Sequence, residues 1–110
     1  MVGFAGCSTV RPPRDSVAAA ELAVQQARTS TAPQHAPLEL RMATDKLDQA
    51  KRAMEKEDYT KARRLAEQAL VDAQVAEAKS ASEQARQRAR ETRQALEALR
   101  RELDRAAQGS

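Results

Sequence analysis

Residues 37–79 read PLELRMATDKLDQAKRAMEKEDYTKARRLAEQALVDAQVAEAK, and this stretch decides the fold. It contains no glycine, and its one proline, Pro37, stands first, where the fixed φ of proline suits the start of a helix. Most of the other residues are strong helix formers, and alanine is the most frequent. The stretch therefore predicts an all-α protein.

Two seams of apolar and small residues run through this stretch at helical spacing. The first contains Leu40, Ala43, Leu47, Ala50 and Met54. The second contains Tyr59, Ala62, Ala66, Ala69, Ala73 and Ala76, and it is widened by Leu65 and Leu70. Because Asp58 is a suitable N-cap between the seams, we expect two antiparallel helices that approach closely. One continuous helix through residues 56–58 is the alternative.

A further helix is predicted before this hairpin. Asp15 or Ser16 is its expected N-cap, and residues 17–28 form the helix. Its apolar stripe contains Val17, Ala20, Val24 and Ala27, flanked by Leu22 and Ala23. Residues 29–35 are expected to be a loop. The predicted architecture is an antiparallel three-helix arrangement within residues 16–80.

The third helix is predicted to continue far beyond its partners, to about residue 107. The seam loses its phase at Ser80 and Glu83, so residues 81–107 form a separate region, an overhanging, coiled-coil-like tail. A new seam then forms a candidate partner surface from Ala85, Ala89, Leu96, Leu99 and Leu103, accompanied by Thr92 and Ala106. It predicts a homo-oligomer or a docking helix for another protein, which would be an envelope protein if the N-terminal motif described next is a membrane anchor; a merely amphipathic tail is the alternative.

The N-terminal tetrad Phe4, Ala5, Gly6 and Cys7 has the form of a bacterial lipobox. It predicts lipidation of Cys7, with residues 1–7 as the remnant of a lipoprotein signal and residues 8–15 as a flexible tether to the membrane. Met1 to Gly6 lack a basic n-region and an apolar h-region, so we expect the chain to begin inside a longer signal peptide. The alternative is a chance tetrad in a protein that is not exported.

Composition argues against several other functions. The chain has one cysteine and one histidine, His35, and no spacing typical of a metal site, a phosphate loop or a nucleophilic triad. We therefore predict no enzymatic activity, metal or cofactor. The 19 basic and 16 acidic residues are well mixed, which argues against nucleic-acid binding. The arginine-rich stretch 86–93 is better explained as a solvated helix face with i,i+4 ion pairs at Arg93–Glu97, Glu97–Arg101 and Arg100–Asp104.

A sequence pattern within residues 15–80 is formed by His35-Ala36-Pro37-Leu38-Glu39-Leu40, Ala43, Lys46-Leu47, Ala50, Asp58-Tyr59, Ala62, Ala66-Glu67-Gln68-Ala69, Asp72-Ala73, Ala76 and Lys79. Through this pattern and the lipobox, residues 15–80 resemble an uncharacterised family of small helical outer-membrane lipoproteins of Gram-negative proteobacteria. Some members of that family carry a downstream OmpA-like domain. The resemblance implies lipidation at Cys7 and assigns no catalytic residue.

Three functional hypotheses follow, of which weak nucleic-acid binding through residues 86–93 is the least favoured. The first is a lipid-anchored periplasmic module with a structural, spacer or protein-interaction role in the cell envelope. Ser8 after the cysteine, where aspartate would mark inner-membrane retention, favours the outer membrane. The second is a cytosolic helical adaptor or coiled-coil protein without lipidation.

Overall fold

The computed structural model describes residues 11–109, and within this range every regular element is a helix. The helices are α1 (Arg14–Thr29), α2 (Ala32–His35), α3 (Pro37–Glu55) and α4 (Tyr59–Gln108). The predicted all-α class and the long last helix are confirmed. By their internal contacts the described residues divide into two compact units, residues 11–80 and residues 81–109.

The start of α1 differs from the prediction that Asp15 or Ser16 caps it. The helix begins at Arg14 after the N-cap residue Pro13, and no side chain caps it. The Pro13 carbonyl accepts the first helical bond, from the Val17 amide at 3.1 Å. Proline needs no partner for an amide at this end, and Asp15 in the first turn complements the helix dipole. Arg14 and Asp15, at the end of the predicted tether, are therefore helical.

The predicted loop at residues 29–35 contains the short helix α2. Its amide at Ala32 donates to the Ser30 hydroxyl at 3.0 Å, and Pro33 occupies an early helical position. Both features favour one helical turn that the apolar periodicity does not indicate. Ala32 is fully buried, so this turn closes one end of the core.

The break between α3 and α4 confirms the predicted hairpin and rules out one continuous helix. Glu57 adopts a left-handed conformation with φ 59°. Its amide donates to Met54, and the Asp58 amide donates to Ala53, at 3.0 and 2.9 Å. This is the hydrogen-bond pattern of a Schellman motif. Asp58 then caps α4, as predicted, by accepting a bond from the Lys61 amide at 3.3 Å.

The core of residues 11–80 is built largely from alanine. In the predicted seams of α3 and α4, Met54 and Tyr59 are half-buried. The remaining members are buried, namely Leu40, Ala43, Leu47, Ala50, Ala62, Ala66, Ala69, Ala73 and Ala76. Small side chains let the helices approach closely. The close contact between the helices compensates for the smaller apolar area that alanine buries.

Two expectations for the core were wrong. Leu22, expected beside the stripe of α1, is 61 % exposed. Ser80, expected to interrupt the seam of α4, is 1 % exposed and extends that seam by one step. A hydroxyl can occupy the core here because Thr31 hydrogen-bonds to it.

Polar contacts between neighbouring helices show in which direction the helices run relative to one another. Glu39–Lys79 (2.8 Å) and Lys46–Asp72 (2.7 Å) join α3 to α4, and each pair is symmetric in sequence about Tyr59. The ion pair Glu21–Lys51 (2.5 Å) and the hydrogen bond from Arg28 to the Thr44 hydroxyl (3.4 Å) join α1 to α3. As residue numbers rise along one helix of a pair, they fall along its partner. Residues 11–80 therefore form the predicted antiparallel three-helix arrangement, to which α2 adds a single turn.

Candidate interaction surface on the C-terminal helix

Residues 85–109 are exposed at every position. All five predicted seam residues lie here, so the structure places Ala85, Ala89, Leu96, Leu99 and Leu103 in solvent. The leucines are 60, 53 and 62 % exposed in chain order. For comparison, Leu47 and Leu65 in the core are 5 and 7 % exposed. The C-terminal leucines are thus the largest apolar side chains of this unit and none of them is packed.

These residues share one face of the helix because α4 is regular through this region. We call this face the C-terminal stripe, and it contains Ala85, Ala89, Thr92, Leu96, Leu99, Leu103 and Ala106. Steps of four and three residues alternate along it, the heptad period of helices that pair side by side. The side chains of the stripe are small at Ala85 and Ala89 and large at its three leucines.

The ion pairs around the stripe differ from the prediction. Glu97 lies 3.8 Å from Arg101, as expected. Within residues 81–109, however, Arg93 and Arg100 form no ion pair, and Arg86 instead contacts Glu83 at 2.6 Å. Exposed arginines gain little from such pairs, so their side chains stay in water unless geometry favours a contact.

Other candidate sites lie within residues 11–80. His35, at the end of α2, is half-buried. No group of three His, Cys, Asp or Glu side chains in residues 11–109 could hold a metal ion. A small depression of about 130 Å³ lies at the α3–α4 turn, lined by Gln49, Arg52, Ala53, Lys56, Asp58 and Lys61.

The most perturbed acid is Glu39, on the surface between α3 and α4. The hydrogen bond from Lys79 to its Oε1, and then the bond from its own backbone amide, hold the pKa of the Glu39 carboxyl below its ordinary value of 4.5. The second oxygen, Oε2, is buried and has no hydrogen-bond partner in the described part of the chain. Sequence reasoning missed this pair, although counting outward from the turn places Glu39 opposite Lys79.

The lipobox residues Phe4, Ala5, Gly6 and Cys7 lie outside the described residues. None of the helices in residues 11–109 combines the length and the apolarity needed to cross a bilayer.

Comparison with known proteins identifies a family but no individual relative. No curated protein and no solved structure matches the chain. A family profile matches residues 15–92, from the start of α1 into the C-terminal segment that carries Ala85 and Ala89. The matched range covers most of the sequence and agrees with the expectation of an uncharacterised helical family. The chain therefore belongs to the family described as Domain of unknown function (DUF4398).

Proposed function

We propose that the protein is a lipid-anchored helical module of the periplasm that binds another envelope protein through its C-terminal helix. The exposed C-terminal stripe is the observation that carries the interaction role. Complete burial of a leucine side chain stabilises a folded or bound state by about 1.5–3 kcal/mol. Leu96, Leu99 and Leu103 are each more than half exposed, so each lacks most of this stabilisation. A partner helix that covers them would recover it.

The membrane location rests on the tetrad ending at Cys7 and on the resemblance to outer-membrane lipoproteins. Each buried methylene of an acyl chain contributes about 0.8 kcal/mol, so two or three chains on Cys7 would hold the protein stably at the bilayer. The tether containing Pro12 and Pro13 would separate the helical unit from the headgroups.

The length of the C-terminal helix also suits a spacer. Residues 81–108 are continuously helical, and at about 1.5 Å per residue they measure roughly 40 Å. The spacer role and the interaction role are compatible, because one helix of this length can carry a binding face and also act as a spacer.

The anchor is tested by expressing the gene with its natural upstream sequence in a Gram-negative host fed labelled palmitate. The wild-type protein should carry the label and stay with membranes after a high-salt wash, whereas Cys7→Ser should be unlabelled and released. Ser8→Ala is the matched control and should behave as wild type. Equal retention of Cys7→Ser would rule out the anchor, and a soluble, unlabelled wild type would favour the cytosolic adaptor.

The interaction role is tested with Leu99→Asp. Since Leu99 is 53 % exposed, this substitution should leave the fold intact and should abolish co-purification of the envelope partner. Leu22→Asp is the control, because it places the same charge at an exposed leucine of α1. If Leu99→Asp kept every partner and the same oligomeric state, the stripe would have no binding role.

A further inference from the structure

We propose that the C-terminal stripe binds one amphipathic helix whose own apolar stripe is bordered by acidic side chains, and that a second copy of this chain does not fill this place. The inference deepens the proposed interaction role and is independent of lipidation at Cys7. It rests on the charges that border the stripe.

One border of the stripe carries an arginine in each of three successive heptads. Arg86, Arg93 and Arg100 follow one another at intervals of seven residues, and each comes directly after a residue of the stripe. These are the e positions of the heptad, which contact the flanks of a paired helix. The opposite border, at the g positions, holds Arg88, Ala95 and Glu102.

A second copy meets repulsion on the e-position border, although one antiparallel register would also place Arg88 opposite Glu102 on the g-position border. In an antiparallel pair, e positions face e positions, so arginine would oppose arginine in every heptad register that sets leucine against leucine. In a parallel pair, g faces the following e, and Arg88 would oppose Arg93 of the second copy. Neither orientation gives the e-position arginines a carboxylate. The apolar stripe favours pairing, while its border disfavours pairing with itself.

A partner helix with acidic side chains would supply carboxylates to the arginines of this border. Arg93 and Arg100 form no ion pair within residues 81–109, so their guanidinium groups are free to meet carboxylates from outside. A guanidinium can bind a carboxylate through two parallel hydrogen bonds, and its alkyl stem can cover the edge of an apolar contact. Glutamates placed at the flanking positions of the partner would face all three arginines.

The shape of the stripe favours a helix over a lipid surface. A helix that lies in a membrane interface has a wide apolar face, with large side chains such as Trp, Phe and Leu. Here the first half of the face is Ala85, Ala89 and Thr92, and residues 81–109 contain no aromatic side chain. Small residues on a narrow seam admit another backbone closely, which is a property of helix pairing.

The test uses two synthetic helical peptides with leucine at a and d, one with glutamate and one with lysine at e and g. Binding of fluorescent peptide to the full chain is followed by anisotropy. The glutamate peptide should bind at least about tenfold more tightly, and added salt should narrow the difference. The triple variant Arg86→Glu, Arg93→Glu, Arg100→Glu should reverse the preference.

The matched control is Arg90→Glu, Arg101→Glu, Arg105→Glu, which changes the net charge equally on the opposite face of the helix. It should keep the wild-type preference. Each triple variant also removes one local ion pair, Arg86–Glu83 or Arg101–Glu97. Circular dichroism should show equal helicity for both, so loss of folding would not explain a difference.

Other outcomes would overturn the inference. If both triple variants lost the preference equally, net charge and not the border would be responsible. A stable dimer that Leu99→Asp dissociates would identify the second copy as the occupant, and tighter binding to phosphatidylglycerol vesicles than to the peptide would identify lipid. If both peptides bound equally and Leu99→Asp abolished both, the docking role would stand and the acidic partner would be wrong. If neither peptide bound and Leu99→Asp changed no partner, both proposals would fail.

Discussion

The side-chain hydroxyls of Thr31 and Ser80 are hydrogen-bonded to each other although they lie 49 positions apart in the chain. Thr31 precedes α2, and Ser80 is the last buried residue of α4. This contact joins the α1–α2 connection to the last helix at one end of the alanine core. Ala32, Ala36 and Ala76 belong to the same core and are fully buried.

Removing the Ser80 hydroxyl should weaken the fold. Ser80→Ala leaves the Thr31 hydroxyl without its partner, and because Thr31 is half-buried it can reach water only in part. We expect the free energy of unfolding to fall by about 1 kcal/mol, measured by urea denaturation. Ser82→Ala, two residues further along the same helix and exposed, should be neutral or slightly stabilising because alanine is the better helix former. Equal effects of the two substitutions would show that the contact contributes nothing.

Enlarging an alanine of the core should be costly. Ala73 is fully buried between the helices, so Ala73→Leu must push them apart or force its side chain off a rotamer. The expected loss is about 1–3 kcal/mol in the free energy of unfolding. Ala78→Leu makes the same chemical change at an exposed position of the same helix and should cost less than about 0.5 kcal/mol. Similar losses for both variants would contradict close packing of the alanine seams.

The turn between α3 and α4 offers a stabilising substitution. Glu57 has φ 59°, a conformation that costs an L-residue about 1–2 kcal/mol and costs glycine nothing. Glycine also loses more entropy on folding, so Glu57→Gly should raise the free energy of unfolding by a net ~0.5–1 kcal/mol. Glu57→Ala removes the same side chain and keeps the strained backbone, so it should give no gain in thermal midpoint. A gain from alanine as large as that from glycine would attribute the effect to the side chain.

The sequence predicted those parts of the fold in which local pattern and tertiary packing agree. The alanine and leucine seams of α3 and α4 repeat at helical spacing, and Pro37 and Asp58 mark the helix starts by local chemistry. Ser80 and Leu22 could not be placed in this way. A serine is buried only where a distant residue supplies its hydrogen bond, and a leucine is left exposed where no neighbouring helix faces it.

For the candidate surface, too, the sequence predicted the features that local pattern decides and missed those that side-chain geometry decides. The heptad spacing of Leu96, Leu99 and Leu103 was visible in the sequence, because an exposed helix keeps its period without help from neighbours. Which arginines pair locally was not visible, since side-chain rotamers on an exposed helix decide it. The predicted contact of Glu97 with Arg101 forms, whereas Arg93 is left unpaired within residues 81–109.

Acid should remove the contribution that Glu39 makes to stability. The pKa of Glu39 in the folded protein lies below its ordinary value of 4.5, because the carboxylate accepts hydrogen bonds from Lys79 and from its own backbone amide. A lowered folded pKa means that the ionised carboxylate stabilises the fold above the unfolded pKa, and that this contribution disappears as the pH falls through the folded pKa.

Glu39→Gln keeps the shape of the side chain and removes its charge. The wild type should therefore have the higher thermal midpoint at pH 7, and the difference should shrink as the pH is lowered below about 4.5. Asp45→Asn is the control, because Asp45 lies 4.0 Å from Arg41 in an exposed pair on the same helix. Its midpoint should stay close to that of the wild type at pH 7. A wild-type advantage over Glu39→Gln that stayed constant from pH 7 to pH 3 would show that the ion pair with Lys79 is not its source.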